Sequence, residues 1–516
     1  MGKPGESDIR HQKSALNSKT IFLWLSAGIA YALAFPKTQI AFLAFVFLVP
    51  LLLAIENKQP AAVFRIFFCF SFVSYLIVLY WIPRVMVKYG GTTWILGIVG
   101  LIALATFLSV FSGLAGMLIG KFSNVGSACT AAFWIPTIWI SKDLVVEKVF
   151  SGFPWCQAGY SQYKNIYFSQ LAEIGGIHMV SFLLICINVL IFRLWKTKSK
   201  RILIALAAVV LTVYASGFCL LKNHTVKTAK IPFHQAGIIQ PNSNHDQVFD
   251  FAFIKATLEK LFRSSLQLKK SGAEFVIWPE FTVPIYPRQT PYFRDQLAAF
   301  SQNHVPLFAG FTDYQGSEKV FNSMMLFNGQ QLEKYDKVHL TPFGEYVPFR
   351  RWLFFVKKIT DEIGDFSPGD KIHNIRFAGH WFSTPICYEI IYPELLRTMI
   401  AKGGEVIITI SNDSWLGRSS APYQHLAMAV FRSIENRRYL LRSTSNGISA
   451  WVDAAGRIIY QSPLHKSDQF LASFRYLKNK TIFTRWGYLF PYACFFLTLG
   501  KLLWMLAKKK GRRYQS

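Results

Sequence analysis

Seven apolar runs, at about 20–36, 39–55, 62–83, 92–120, 124–141, 177–195 and 202–221, fill the first part of the chain, and an eighth closes it at about 484–507. Each reaches the ~17 residues that a helix needs to cross a bilayer. In lipid every backbone polar group must be satisfied within the protein, so runs of this length restrict the fold to packed membrane helices. Composition agrees: 52% of the 516 residues are hydrophobic and only 16% are charged, a balance foreign to ordinary soluble domains. A second run follows the first almost at once, and no small-residue cleavage site closes the first, so it reads as a span and not as a removed signal peptide.

The placement of charge predicts an orientation. The formal charge of +28 is concentrated at the two ends and beside the apolar runs, which favours topology signals and contacts with anionic lipid over nucleic acid. If the arm 1–19 is cytoplasmic, the second, fourth and sixth connections share its side and carry Lys58 with Arg65, Lys121, and Arg193 to Arg201 with five basic residues. The basic tail 508–516 falls there too. The expected order is therefore a cytoplasmic arm 1–19, seven transmembrane helices over 20–221, an extracytoplasmic domain over 222–480, an eighth helix over 481–507 and the tail. Arg84 and Lys88, in an outer loop, break the charge bias, as do Lys142 and Lys148 past the fifth run. The aromatic, Gly- and Pro-rich outer loop 151–162 reads as an interfacial belt.

From Ala236 the pattern changes to short β-rich runs alternating with helical stretches, which predicts a layered α/β domain. Strands are expected at Ala236–Gln240, Glu274–Trp278, Leu307–Gly310, Met324–Phe327, Trp381–Ile386, Val406–Ser411 and Ile448–Val452, with helices at about 250–271, 291–303, 392–402 and 422–441. In the last helix Arg432 and Glu435 are spaced to pair structurally. Glu280, Lys337 and Cys387 each stand where a strand ends, and strand ends in stacked layers form a shared rim where distant side chains converge. Cys387 is the only cysteine between about 222 and 480, so it has no disulfide partner in that half. A thiol needs a base or a cation to become a nucleophile, and a carboxylate and an ammonium supply both. Histidines such as His339 and His425 read as surface or supporting residues, and no spacing suggests a metal site.

Trp278-Pro279-Glu280, Tyr335-Asp336-Lys337 and Cys387-Tyr388-Glu389, in that order, resemble the Glu-Lys-Cys triad segments of the nitrilase (carbon–nitrogen hydrolase) superfamily. Gly152-Phe153-Pro154-Trp155, Gly159 to Gln162, Gly237 to Asn242, His339 to Pro348 and Ser411 to Gly417, together with eight spans, narrow the resemblance to the apolipoprotein N-acyltransferase family over nearly the whole chain. The resemblance implies eight transmembrane helices joined to an α/β domain built as an αββα sandwich. It implies Glu280 as general base, Lys337 as oxyanion stabiliser and Cys387 as nucleophile, with Glu345, Tyr388, Glu389 and Trp415 around the pocket. The implied reaction moves a fatty acyl chain from a glycerophospholipid, such as phosphatidylethanolamine, to the α-amino group of the N-terminal S-diacylglyceryl-cysteine of a lipoprotein. Its setting is the inner membrane of a bacterium, with the catalytic domain in the periplasm, and no cofactor enters it. Phe249, Asp143 and Val146 depart from the family pattern, which has Trp, Glu and Arg there.

Two other readings fit the same residues less well. A membrane-tethered amidase would need one anchor rather than eight spans, and a transporter or receptor would carry more ionisable residues within its spans. Cys156 is a second thiol of unassigned reactivity. The segment Phe349 to Lys358, with Trp352 and Phe355 beside four basic residues, reads either as a helix covering the domain core or as an interfacial arm.

Overall fold

The computed structural model describes residues 17–123, 128–242, 251–281, 283–316, 319–346 and 366–513; Phe249 and the Phe349 to Lys358 segment lie outside them. Among the described residues five helices are long and apolar enough to cross a membrane: Pro60–Val78, Trp94–Phe122, Phe168–Thr197, Lys200–Thr228 and Leu489–Lys508. Two more of the predicted runs also form helices. Ser18–Leu33 is apolar but only 16 residues long, and Ala128–Lys148 carries Lys142, Asp143, Glu147 and Lys148 near its end.

The run at 39–55 is not one helix. It splits into a 3₁₀ turn, Ala41–Phe45, and a seven-residue helix, Leu48–Ala54. Such a break in an apolar setting leaves backbone groups that need partners. Asn188, fully buried on a neighbouring helix, supplies them: its Oδ1 accepts from Leu48 N at 3.0 Å and its Nδ2 donates to Ala44 O at 2.8 Å. Hydropathy alone does not register a break that a side chain 140 residues away repairs.

Among the described residues the α/β half holds twelve strands: β1 His234–Gln240, β2 Phe275–Ile277, β3 Leu307–Gln315, β4 Lys319–Asn328, β5 Gln331–Asp336, β6 Ile375–Phe377, β7 His380–Ser383, β8 Val406–Ser411, β9 Leu440–Thr444, β10 Ala450–Val452, β11 Ile458–Gln461 and β12 Asp468–Phe474. They form two six-stranded sheets, ordered β12-β1-β2-β3-β4-β5 and β11-β10-β9-β8-β7-β6. Each has three parallel strands at its centre, β1-β2-β3 or β7-β8-β9, with antiparallel strands outside them. Of these, β2, β8 and β9 are buried throughout, as strands covered on both faces must be. Phe275 and Phe308 of the first sheet meet Phe382 of the second at ring separations of 5.4 and 5.2 Å. Helices Phe251–Lys270 and Pro291–Asn303 cover the first sheet, burying Leu258, Leu261, Leu268, Leu297 and Phe300 against it. Helices Pro393–Ala401 and Ala421–Asn436 pack beside the second. The layers run helix, sheet, sheet, helix.

The two halves share a polar seam. Gln424 accepts at Oε1 from the indoles of Trp81 (3.2 Å) and Trp155 (2.9 Å), and donates at Nε2 to Pro36 O and Val78 O. Arg432 and Glu435, both fully buried, pair at 2.8 Å as expected, and each also reaches across the seam, to Tyr160 OH and to Ile177 N. The loop 151–162 is thus no lipid-facing belt. Trp155, Cys156 and Tyr160 are buried in it, with Trp155 and Tyr160 bonded to Gln424 and Arg432 of the α/β layers.

Candidate active site

Glu280 follows β2 through Trp278 and Pro279, and its backbone runs against β3. A Cβ at Gly310 would lie 2.7 Å from Glu280 Cα, so only glycine lets the strand pass. The carboxylate is almost wholly buried. Its Oε2 accepts from Asn412 N at 2.6 Å, at the end of β8 in the other sheet, and its Oε1 from Asn322 Nδ2 at 2.7 Å. Lys337 follows β5 directly and is equally buried. Its ammonium meets Glu345 Oε2 at 2.7 Å, and Asn322 Nδ2 also donates to Glu345 Oε1 at 2.8 Å. One amide therefore ties both carboxylates together.

Cys387 opens the short 3₁₀ turn Cys387–Ile391 beyond β7, with φ near +50°, the left-handed region that residues with a Cβ rarely adopt. Two contacts hold this conformation. His425 Nε2 donates to Cys387 O at 3.2 Å, and Glu389 Oε2 accepts from Ile386 N at 2.8 Å. The other oxygen of Glu389 accepts from Tyr335 OH, Val338 N and His339 N. Glu389 therefore locks the cysteine turn to the segment after Lys337 instead of facing a substrate. Behind the thiol, Ser411 Oγ lies 3.2 Å from Sγ and gives its proton to Asp413 Oδ1 at 2.6 Å, while Arg442 holds Asp413 at 2.9 Å. Tyr388 is half-buried and packs on Tyr392, and Trp415 is half-buried in the 3₁₀ turn Asp413–Leu416 after β8.

Burial and the Glu280 carboxylate push the Cys387 thiol up, and Lys337 pulls it down without winning, so the thiol rests protonated. Burial raises the Glu280 carboxyl, with Glu345 adding to it and Lys337 and the two N–H donors opposing. For Lys337 burial acts downward, but the Glu345 carboxylate, with Glu280 adding to it, outweighs burial and keeps the ammonium charged. His339, lowered to about 4 by burial and by Lys337, stacks on Tyr392 with ring centroids 3.8 Å apart. It is neutral, and the carboxylate is the base at hand. A buried base, a fixed cation and a protonated thiol make a set suited to covalent acyl transfer. Among the described residues no group of three or more His, Cys, Asp or Glu is placed to hold a metal ion.

The structure brings Glu280, Lys337, Glu345 and Cys387 to one buried cluster. Sequence reasoning did not single out Asn322, and it placed Ser411 and Asp413 in a family-like segment without giving either a role. Asn322 carries a signal, since a polar amide inside an apolar strand is disfavoured unless it has work to do there.

Two family models match the chain: the apolipoprotein N-acyltransferase N-terminal domain over residues 27–190 and carbon-nitrogen hydrolase over 235–472. The apolipoprotein N-acyltransferase of Geobacter metallireducens is 31% identical over 495 residues, 93% of this chain and 94% of its own. That of Pseudomonas putida is 31% identical over 450 residues, 86% and 88% of the two chains. Among solved structures, the Nesterenkonia AN1 amidase of the nitrilase superfamily aligns with 48% of this chain and 93% of its own, at 16% identity and a TM-score of 0.37. The paired domain matches and the full-length identity to these relatives show that the chain belongs to the apolipoprotein N-acyltransferase family.

Proposed function

We propose that the protein moves a fatty acyl chain from a glycerophospholipid to the α-amino group of an N-terminal S-diacylglyceryl-cysteine, in two steps, through a thioester on Cys387. The observation that carries this reading is the convergence of a left-handed Cys387 with buried Glu280 and Lys337, in a domain seated on membrane helices. Donor and acceptor are both large and membrane-bound, so parking the acyl group on the enzyme lets each use the same pocket in turn. Glu280 takes the thiol proton as Sγ attacks the ester carbonyl, and Lys337 with nearby backbone N–H groups holds the oxyanion. Collapse breaks the ester C–O bond, and Glu280 returns the proton to the departing lysophospholipid oxygen. Glu280 then accepts a proton from the incoming amine, whose nitrogen attacks the thioester. The new amide leaves, and the thiol is restored. Glu345 keeps Lys337 aimed, and Asn322 holds Glu345 and Glu280 in register.

A synthetic diacylglyceryl-cysteine lipopeptide incubated with the purified protein and phosphatidylethanolamine should gain one amide-linked acyl chain by mass spectrometry, with one lysophospholipid released per product. Acyl gain without lysophospholipid, or release of free fatty acid alone, would contradict the transfer.

The orientation, with eight spans, both termini in the cytoplasm and 222–480 in the periplasm of a bacterial inner membrane, rests on the basic clusters. A membrane-impermeant thiol reagent on intact spheroplasts should label a cysteine placed at exposed Lys269 and spare one at exposed Lys508. The reverse pattern would invert the topology.

A further inference from the structure

Arg84 and Lys88 are the outer-loop cations that the charge bias leaves unexplained. They lie four residues apart on helix Ile82–Gly90, hence on one face, and both are exposed. This helix packs on the loop that follows β8. The Arg84 guanidinium rests directly on Gly417, where a Cβ would come within 2.9 Å of its Cζ, and Tyr80 OH accepts from Ser420 N at 3.2 Å. Arg418 is exposed beside it. Burial holds the His465 imidazole below the usual value, with the charges of Arg418, Arg84 and Lys88 adding to it and the Gly417 backbone opposing. His465 Nε2 is shielded from solvent and has no hydrogen-bond partner among the described residues. The cations gathered about Gly417 and an unpartnered ring nitrogen describe a place for an anion, since a phosphate oxygen would satisfy the nitrogen and offset the like charges.

The position fits one anion in particular. The chain leaves the catalytic cluster at Asn412, whose N–H binds Glu280, and reaches Gly417 five residues later through the 3₁₀ turn Asp413–Leu416. At the ~2.0 Å rise of such a turn the five residues carry the chain about 10 Å from Asn412, which puts Gly417 and the Arg84 guanidinium on it within roughly that reach of the base. In a glycerophospholipid either ester carbonyl is separated from phosphorus by five or six bonds. That is about two of the three-bond repeats that span ~3.3–3.6 Å each, or roughly 7 Å. A charge-assisted contact of ~2.8 Å closes the remainder. The site also adjoins a helix long and apolar enough to cross a membrane, Trp94–Phe122, which begins four residues after helix Ile82–Gly90 and opens on Trp94 and Ile95, 59% and 74% exposed.

We infer that Arg84, Lys88 and Arg418, with His465, form a phosphate-binding subsite that seats the glycerophospholipid donor with its ester over Cys387. The inference rests on the function proposed above. It accounts for two basic residues kept on the outer side of the membrane against the usual bias, because there they grip the donor that Cys387 attacks.

The test compares two donors in neutral detergent micelles: zwitterionic phosphatidylcholine, whose lack of net charge removes general attraction to an anionic surface, and diacylglycerol, which has the same esters and no phosphate. Acyl-enzyme formation is followed by intact mass for wild type and for Arg84→Gln/Arg418→Gln, both exposed positions. The double variant should raise the apparent KM for the phospholipid on the order of tenfold or more, as expected for lost charge-assisted hydrogen bonds, with kcat little changed. Its use of diacylglycerol should match wild type. Arg84→Lys should recover part of the phospholipid affinity. Equal losses with both donors, or no loss with either, would overturn the subsite while leaving the Cys387 chemistry standing. Wild type that takes no acyl group from either donor would overturn both.

Discussion

Cys387→Ala should abolish the acyl-enzyme and the N-acylated product together, while leaving the fold intact. The substitution removes one sulfur atom from a side chain that is 7% exposed and makes no hydrogen bond the turn depends on. The turn is held by His425 on the carbonyl of residue 387 and by Glu389 on Ile386 N, neither of which involves the thiol. Thermal unfolding in detergent should accordingly move little. Cys387→Ser should behave differently. Ser is slower to acylate because its hydroxyl is a weaker nucleophile than a thiolate, and once acylated it holds an oxygen ester that resists the amine. The expected species is a slowly formed, persistent acyl-enzyme with little product. Transfer by Cys387→Ala at more than trace rates would remove the cysteine from the mechanism.

Glu280→Gln and Lys337→Met should each slow acyl-enzyme formation on the order of a hundredfold or more, the range for losing a general base or an oxyanion donor. The two variants should separate in stability. Gln at 280 keeps an acceptor for Asn412 N and loses the one for Asn322 Nδ2, so its cost should be that of one buried hydrogen bond, about 1–3 kcal/mol. Met at 337 leaves Glu345 buried without its cation, and breaking a buried pair costs about 3–5 kcal/mol. Adding Glu345→Gln to Lys337→Met should restore much of that stability and none of the activity. The pH profile carries a sign as well. Glu280 acts ionised, and burial has raised its carboxyl, so the rate should fall with decreasing pH at a point above the ordinary glutamate value near ~4.3. Glu280→Gln should lose that acid limb along with the rate.

Glu280, Lys337 and Cys387 were legible as candidates because each stands just past a strand, where an apolar run gives way to a charged or nucleophilic residue. What surrounds them was less so. Asn322 joins two carboxylates from the interior of β4, and nothing local to the sequence says which side chains a strand residue will face. The helix expected to run to 441 stops at Asn436, since Arg437 adopts a left-handed backbone with φ near +52° and turns the chain into β9. No Gly or Pro announces that stop. It is imposed by the tertiary fold, in which the Arg437 guanidinium reaches Glu173 at 2.8 Å and Gln170 at 2.6 Å from the membrane half. The loop 151–162 was misread for a related reason. Aromatic residues near a membrane surface have the same composition whether they face lipid or a second domain, and Gln424, 269 residues from Trp155, decides between the two. Glu389 was expected in the supporting shell, and what the sequence does not tell is the form of that support: its oxygens are occupied by four donors that brace the cysteine turn.

The central claim, that Cys387 carries the acyl group between donor and acceptor, is open to one direct measurement. Wild-type protein incubated with phospholipid and no lipopeptide should gain the mass of a single acyl chain. The adduct should map to the peptide containing Cys387, disappear on treatment with hydroxylamine at neutral pH, and be discharged by added diacylglyceryl-cysteine lipopeptide. Wild-type protein that makes N-acylated lipopeptide when both substrates are present, yet never gains an acyl mass from phospholipid alone, would contradict the covalent account.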